Sequence, residues 1–337
     1  MKKIDKIGYN IGTLLSIDSI LKFAKKIEEK ENTDSLWVPE SWGREAFVSL
    51  GALSQVTKRV RLGTAIINIY SRTPATVAMG VSTLDIISNQ RTVLGLGVST
   101  PALVENWHGI KFNNPIEKLS EYIQCIKLIM QGSKVNFKGK YYKINNFKIL
   151  FKPPRENLPI YTAAINKKMI DLSCEFANGI LLYLRPKHEL PTIVEYIKNK
   201  LILKNSNNRN EEKRFEICCA FITAISDKNP EKARLRAAKT LAFYIAVGKY
   251  YNTFLRYNGF HTEVQNIAEE YQKNGISNIH TFVSDRMLNS LTISGSREDC
   301  MRSLSEFTES GISLPIIQIN PVGSDPENSI MELISTF

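Results

Sequence analysis

Short apolar runs alternate with amphipathic segments along most of this chain. Runs rich in Val, Ile and Leu predict strands that are buried on both faces, and apolar residues spaced three and four positions apart predict helices. Four strand–helix units follow one another at the start of the chain. Their predicted strands are residues 6–12, 34–41, 60–69 and 91–98.

The alternation is interrupted after the fourth unit. Residues 134–154 alternate apolar and polar positions around a Lys-Gly turn, which predicts a β-hairpin within an insertion of about 132–158. A long helical region is then predicted at about 230–310, and a last helix begins at Pro326. The later predicted strands are residues 159–166, 179–185, 214–225 and 314–322.

Strands alternating with helices, without a clear linker, predict an α/β fold in one domain of residues 1–337. We expect a single TIM barrel, (β/α)8, with the hairpin insertion after the fourth βα unit and extra helices between strands 7 and 8. A doubly wound sheet is the alternative. In barrel enzymes the active site lies at the C-terminal ends of the strands, so the candidate chemistry is sought there.

Composition narrows the class of protein. The 337 residues are 43% hydrophobic and 23% charged, which is ordinary for a globular chain. No apolar run is long enough to span a bilayer, and the first ten residues lack the apolar core of a secretory signal, so we expect a cytoplasmic protein. Five cysteines without ligand spacing and four histidines predict no metal site.

The net charge of +11 allows two interpretations. It indicates an anionic partner, such as nucleic acid, a membrane surface or a phosphorylated ligand, or it reflects lysines spread over exposed helix faces. The densest basic stretches carry interleaved acidic residues or are polar loops, and no basic patch is interleaved with aromatic residues. We therefore expect a small-molecule substrate, and neither a nucleic-acid nor a membrane partner.

The fourth predicted strand ends in a Gly-x-Gly pair, Gly95 and Gly97. A dinucleotide-binding loop needs a third glycine three positions later, where this chain has Thr100, and it follows the first strand of its fold. The stretch therefore does not predict a Rossmann loop. The glycines either let the backbone approach a flat ligand closely or serve strand packing.

Three segments carry a family resemblance: SLWVPESWGREAF (35–47), VRLGTAIINIYSRTPATVAM (60–79) and TVLGLGVSTPALVENWHG (92–109). They resemble the bacterial luciferase-like superfamily, and within it the branch that uses the deazaflavin coenzyme F420, which includes methylenetetrahydromethanopterin reductases. The resemblance implies a (β/α)8 barrel, usually a homodimer, with a deazaflavin or flavin ring at the C-terminal ends of the strands. It also implies a cis peptide bond between Ala65 and Ile66.

The same resemblance suggests where the cofactor binds. Asn68 would offer polar atoms to the ring edge, and Arg72 would neutralise phosphate or the pyrimidine edge, unless it caps a helix or joins a dimer salt bridge. The segment from 164 to 167 precedes a helix whose N-terminus would hold phosphate, although relatives have Gly-Pro in place of Ile165-Asn166. The expected cofactor-binding residues are Ala65, Ile66, Asn68, Arg72, Gly97, Ser99, Thr100, Ala164, Ile165, Asn166 and Lys167.

Candidate catalytic residues are Glu40 and His108. Related deazaflavin enzymes carry Asp-His where this chain has Glu40-Ser41, so a carboxylate is retained and an imidazole is lost. Glu40 would donate a proton or orient the substrate. The expected substrate pocket consists of Ser41, Trp42, Glu105 and Trp107.

The resemblance implies an oxidoreductase that transfers a hydride between coenzyme F420 and a small organic substrate, such as a pterin-type C1 carrier. Hydride transfer between a ring carbon and a substrate carbon requires positioning more than acid–base groups. Two alternatives remain open at this point. One is a luciferase-like monooxygenase that uses FMN, and the other is a non-catalytic flavin-binding barrel.

Overall fold

The computed structural model describes residues 5–12, 14–207 and 215–337, with the backbone alone for 205–207. The chain divides into two compact units. The central unit comprises residues 33–181 and 200–216, and the terminal unit comprises residues 1–32, 182–199 and 217–337.

Strands and helices alternate through both units. The strands are β1 (Ile7–Asn10), β2 (Thr33–Val38), β3 (Arg61–Thr64), β4 (Ile67–Asn68), β5 (Thr92–Gly97), β6 (Val135–Lys138), β7 (Lys143–Phe147), β8 (Ile160–Ala163), β9 (Gly179–Tyr183), β10 (Glu216–Ile225), β11 (Thr292–Gly295) and β12 (Leu314–Ile319). The helices are α1 (Ile17–Glu28), α2 (Ala46–Val56), α3 (Pro74–Ile87), α4 (Pro101–His108), α5 (Pro115–Met130), α6 (Lys167–Phe176), α7 (Leu190–Asn207), α8 (Pro230–Val247), α9 (Lys249–Tyr257), α10 (His261–Asn274), α11 (Asp285–Leu291), α12 (Arg297–Thr308) and α13 (Pro326–Thr336), with a 3₁₀ turn at Ile279–Phe282.

In the central unit the strands are parallel and follow the order β2, β3, β5, β8, β9, and the last two residues of β9 belong to the terminal unit. Val38 lies opposite Thr64, and Leu96 lies opposite Thr162. The strands are almost wholly buried because helices cover them, which explains their continuous apolar sequences. Parallel pairing brings the carboxyl ends of these strands to one edge of the unit.

The predicted strand at 60–69 is interrupted in the structure. β3 ends at Thr64 and β4 begins at Ile67, and the Ala65–Ile66 peptide between them is cis, as the resemblance implies. The Ala65 amide donates to the Val38 carbonyl at 2.9 Å. The side chain of Ile66 lies directly over Gly97 of β5. The apolar run at 60–69 by itself indicates one strand, and the break between β3 and β4 coincides with the cis peptide that the family resemblance implies.

The insertion contains the expected hairpin, with β6 and β7 antiparallel. Val135 and Ile149 pack with Ala78 and Ile129 in a small apolar cluster. The turn of the hairpin is bound by Glu121 of α5, whose carboxylate accepts the amides of residues 140, 141 and 142 at 2.8, 2.8 and 3.1 Å. The insertion is thereby fixed to α5 by apolar contacts at its base and by a carboxylate at its turn.

In the terminal unit the strand order is β11, β10, β12, β1, again parallel. Residues 218–223 of β10 pair with β12, and residues 222–225 pair with β11. The prediction of an unbroken helical region at 230–310 was wrong at Thr292–Gly295, which forms β11. Four residues are too few to show a strand periodicity, and β11 exists because β10 offers it a hydrogen-bonding edge.

Arg61 links the amino-terminal ends of several central strands. Its guanidinium donates to Asp34 at 2.5 and 3.0 Å and to Glu216 at 2.9 Å, and the Tyr161 hydroxyl donates to the same Glu216 oxygen at 2.5 Å. Burial alone would lower the pKa of Arg61, but the two carboxylates raise it above its ordinary value. This network lies at the end of the strands opposite to the candidate site, so we assign it to stability.

Among the residues that the structure describes, no helix is long and apolar enough to cross a membrane.

Candidate active site

The candidate residues of the central unit lie at the carboxyl ends of β4 and β5, in the loops that follow β2, β3, β4, β5 and β8, and on the helices α4 and α6 after those loops. These loops begin where parallel strands end, which is the edge that carries the chemistry in barrel enzymes. The structure brings three pairs of candidates into contact, and it places the others singly along the same edge.

The first pair is Ile66 and Gly97. A side chain at Gly97 would come within 2.8 Å of Ile66, and one at Gly95 would collide with the backbone carbonyl of Thr64. Thr64 also donates its hydroxyl to the Gly95 carbonyl at 2.7 Å and accepts the Gly95 amide at 2.8 Å. The Gly-x-Gly pair therefore serves strand packing in this structure, which is one of the two interpretations that the sequence allows.

The second pair is Glu40 and Arg72. The Arg72 guanidinium binds both oxygens of Glu40, one of them at 2.9 Å, and also donates to Glu45 at 2.5 Å. The Ala46 amide donates to Glu40 at 2.9 Å. Glu40 and Arg72 are less than one-fifth exposed, and the hydrogen bonds to Glu40 raise the pKa of Arg72. Both side chains thus have partners within the chain, so neither can bind a cofactor or substrate through its charged group without first breaking this pair.

The third pair is Trp42 and Trp107, whose ring centroids are 5.9 Å apart at 79°. Trp42 follows β2 and Trp107 lies on α4, and their side chains are 46% and 54% exposed. An edge-to-face pair that remains half exposed offers an aromatic surface to a flat ligand. The neighbouring Ser41 is also exposed.

Two hydroxyls after β5 are without a hydrogen-bond partner in the described part of the chain. Ser99 has a φ of +60°, and Thr100 is the N-cap residue of α4 but makes no capping hydrogen bond with its side chain. Both residues are half buried. Hydroxyls at this edge that no capping bond occupies suit the binding of a polar ligand.

The other candidates have structural contacts of their own. Asn68, 4% exposed, accepts the Tyr70 amide at 2.9 Å and so holds the turn after β4. Glu105 accepts the Phe112 amide at 3.0 Å, and His108 is exposed at the end of α4. Asn166 caps α6 by accepting the Met169 amide at 3.0 Å. Around it, Ala164 is buried, Ile165 is half buried and Lys167 is exposed.

Sequence reasoning missed a cavity of about 490 Å³ beside Arg72. Its polar lining includes Ser71, Thr76, Lys118, Tyr141 and Tyr142. The Lys118 ammonium lies 4.9 Å from the centre of the Tyr70 ring, and burial lowers its pKa. The adjacent tyrosines at the hairpin turn were a visible signal, but only the fold shows that the turn reaches this loop.

Comparison with solved structures defines the fold class of the protein. The chain has a TM-score of 0.84 to the structure of the coenzyme F420-dependent tetrahydromethanopterin reductase from Methanopyrus kandleri, at 20% identity, over 99% of this chain and 98% of that one. The predicted (β/α)8 fold is confirmed by this match and by the parallel strand order. At this level of identity the likeness establishes the fold alone.

The family of luciferase-like monooxygenases matches residues 6–314, and the chain belongs to this family. The chain is 27% identical to the 5,10-methylenetetrahydromethanopterin reductase of Archaeoglobus fulgidus over 92% of each chain. It is 26% identical to the enzyme of the same name from Methanolobus tindarius, over 93% of this chain and 94% of that one. The predicted enzyme class, an oxidoreductase, is the class of these relatives.

Proposed function

We propose that this chain transfers a hydride between coenzyme F420 and a small organic substrate. The observation that carries the proposal is the make-up of the loop after β5, where the hydroxyls of Ser99 and Thr100 have no capping bonds and the exposed Trp42–Trp107 pair presents an aromatic surface. The family match supports it, as does a Mycobacterium tuberculosis relative, 25% identical over 86% of this chain, whose name is putative coenzyme F420-dependent oxidoreductase.

The residues present fit a flat, polar cofactor. Ser99 and Thr100 would hold its polar groups, and the apolar side chains of Ala65 and Ile66 would supply contact without charge. The deazaflavin, when bound, supplies the ring carbon that carries the hydride. The chain's task is then to hold this ring and the substrate in register and to exclude water from between them.

The hydrogen bonds of Glu40 also favour direct hydride transfer. Both of its oxygens bind Arg72, and one also accepts the Ala46 amide, so Glu40 serves to join two loops. His108 is exposed at the end of α4. Chemistry that needs positioning and few proton transfers suits this arrangement better than acid–base catalysis.

For the substrate we propose a pterin-type C1 carrier. The relatives at 26–27% identity are named for methylenetetrahydromethanopterin. A pterin is flat and heteroaromatic, so the Trp42–Trp107 pair offers it a stacking surface. The FMN-dependent monooxygenase is retained as the second candidate because the matching family is named for that activity.

A titration of the purified protein with coenzyme F420 and with FMN tests the proposal. We expect tighter binding of F420, and slower turnover and weaker binding in Ser99→Ala and Thr100→Val. Thr253→Val, which removes a hydroxyl on the outer face of α9, is the matched control. Selective FMN binding with oxygen uptake would select the monooxygenase, and F420 binding without turnover of any hydride acceptor would select a non-catalytic barrel.

We also propose that the chain forms a homodimer through α2 and α3. These neighbouring helices contain one charged residue, Asp85, which is fully buried against Arg155. Val48, Met79 and the adjacent Ile86 and Ile87 are 40% or more exposed. In a chain of net charge +11, an apolar face without charge meets a second copy of itself without repulsion.

Light scattering tests the dimer. Val48→Lys and Ile87→Lys are each expected to convert a dimer into a monomer, because each places a charge in the interface. Tyr257→Lys, at an 86% exposed position on α9, should leave the mass unchanged. A monomeric wild-type protein, or a dimer that survives both substitutions, would rule out this interface. The cytoplasmic location stays a prediction.

A further inference from the structure

Helix α8 of the terminal unit carries two different faces. Its fully buried side packs into the apolar core through Ala237, Leu241 and neighbouring residues. A second face, half buried, consists of residues one helical turn apart: Arg236, Thr240 and Tyr244. We call this second face the polar face of α8; of its three residues, Tyr244 also packs against the apolar core.

The polar face of α8 contacts residues at the carboxyl ends of two strands. The Thr240 hydroxyl donates to the side-chain carbonyl of Asn320 at 2.9 Å, directly after β12. The Tyr244 ring lies edge-on to the ring of Tyr183, the last residue of β9, at 5.2 Å. Burial raises the pKa of Tyr183 and of Tyr244, so both phenols stay protonated and serve as neutral hydrogen-bonding groups.

Arg236 is the charged member of this face. No carboxylate of the described chain pairs with its guanidinium, and no described side chain or carbonyl accepts a hydrogen bond from it. Arg234, two positions earlier, shows the contrast, since it donates to Asp285 at 2.5 Å and to Asn289 at 2.9 Å. Burial lowers the pKa of Arg236, which indicates that the cation is partly withdrawn from water without a compensating anion.

We propose that Arg236 binds an oxyanion group, a carboxylate or a phosphate, of a small organic molecule. A guanidinium presents a planar fork of donors that matches two oxygens of such a group. The site lies on the polar face of α8, beside the carboxyl ends of β9 and β12, where a barrel enzyme binds its substrate.

The test measures anion binding to the cofactor-free protein at constant ionic strength, by calorimetry with inorganic phosphate and, separately, with acetate. We expect one of the two probes to bind, and its affinity to fall about tenfold or more in Arg236→Gln and less in Arg236→Lys. Arg234→Gln is the matched control on the same helix and should bind like the wild type. Whichever probe binds identifies the group as phosphate or carboxylate.

Equal binding by the wild type and Arg236→Gln, or no binding of either probe, would overturn the inference. The measurement needs neither coenzyme nor turnover, so its outcome is separate from that of the proposed function. A protein that binds F420 but shows no Arg236-dependent anion site keeps the proposed function and loses this inference. Circular dichroism and thermal unfolding of Arg236→Lys, which keeps the charge, report whether α8 remains folded.

Discussion

Arg72 binds both carboxylate oxygens of Glu40, although the two residues lie on loops that follow different strands. Glu45 accepts from the same guanidinium and also caps α2 by accepting the Val48 amide at 2.6 Å. One cation therefore joins the loop after β2, the start of α2 and the loop after β4. This arrangement gives two residues of expected chemical function a structural task.

Replacing Glu40 tests that task. Glu40→Gln should lower the free energy of unfolding by about 2 kcal/mol, because Arg72 loses a charged partner in a mostly buried site. Urea unfolding measures this free energy. The double variant Glu40→Gln, Arg72→Gln should lose less stability than the sum of the losses in the two single variants. Turnover should fall less than the roughly hundredfold or more expected on removing a general acid. A larger loss of turnover with unchanged stability would show that Glu40 acts in catalysis.

The glycines of β5 give a prediction with an internal control. Gly97→Ala should destabilise the protein by about 1–3 kcal/mol, because the added methyl meets the Ile66 side chain. Gly95→Ala should cost more, because its obstacle is the backbone carbonyl of Thr64. Urea unfolding of each glycine variant, alone and combined with Ile66→Ala, distinguishes these two obstacles. We expect Ile66→Ala to restore stability to Gly97→Ala but not to Gly95→Ala. Restored stability in both would contradict the different obstacles assigned to the two glycines.

The carboxylate of Glu121 predicts a pH dependence in the hairpin insertion. Burial tends to raise the pKa of Glu121, but the three backbone amides that it accepts prevail and lower it below its ordinary value. A lowered pKa in the folded state stabilises the turn above the ordinary value, and this stabilisation is lost as the pH falls through the lowered one.

Amide hydrogen exchange at residues 140–142 measures the effect. Protection of these amides should decrease on going from about pH 7 to about pH 3. In Glu121→Gln it should be weaker at neutral pH and nearly independent of pH. Glu117→Gln, one turn earlier on α5 and exposed, is the control. Protection in Glu121→Gln that still follows pH as in the wild type would count against this role.

The exposed tryptophan pair gives a prediction about ligand binding. Trp42→Ala and Trp107→Ala should each raise the KM for the organic substrate several-fold, because each removes half of the aromatic surface. The effect on unfolding should stay below about 1 kcal/mol, because both side chains are about half exposed. The chain has three tryptophans, and the third, Trp37, is fully buried. Quenching of fluorescence by substrate should therefore persist in Trp37→Phe and disappear in the double variant of the pair.

Prediction from the sequence succeeded where the signal is local. Continuous apolar runs predicted the strands of both units apart from β11, and the last helix begins at Pro326 as predicted. The tertiary contacts were beyond that reasoning. The interruption at Ala65–Ile66 entered only through the family resemblance, and β11 has too few residues for a periodicity of its own.

The sequence by itself determined the alternation of strands and helices, the barrel class, and which residues stand after the strands, because burial and periodicity are written locally along the chain. Only the tertiary structure decided how those residues are used. It paired Glu40 with Arg72, set Ile66 over Gly97, joined Trp42 to Trp107 and left Arg236 without a counterion among the described residues. The reason is physical: contacts between residues far apart in the chain depend on strand register and helix packing, which no local pattern specifies.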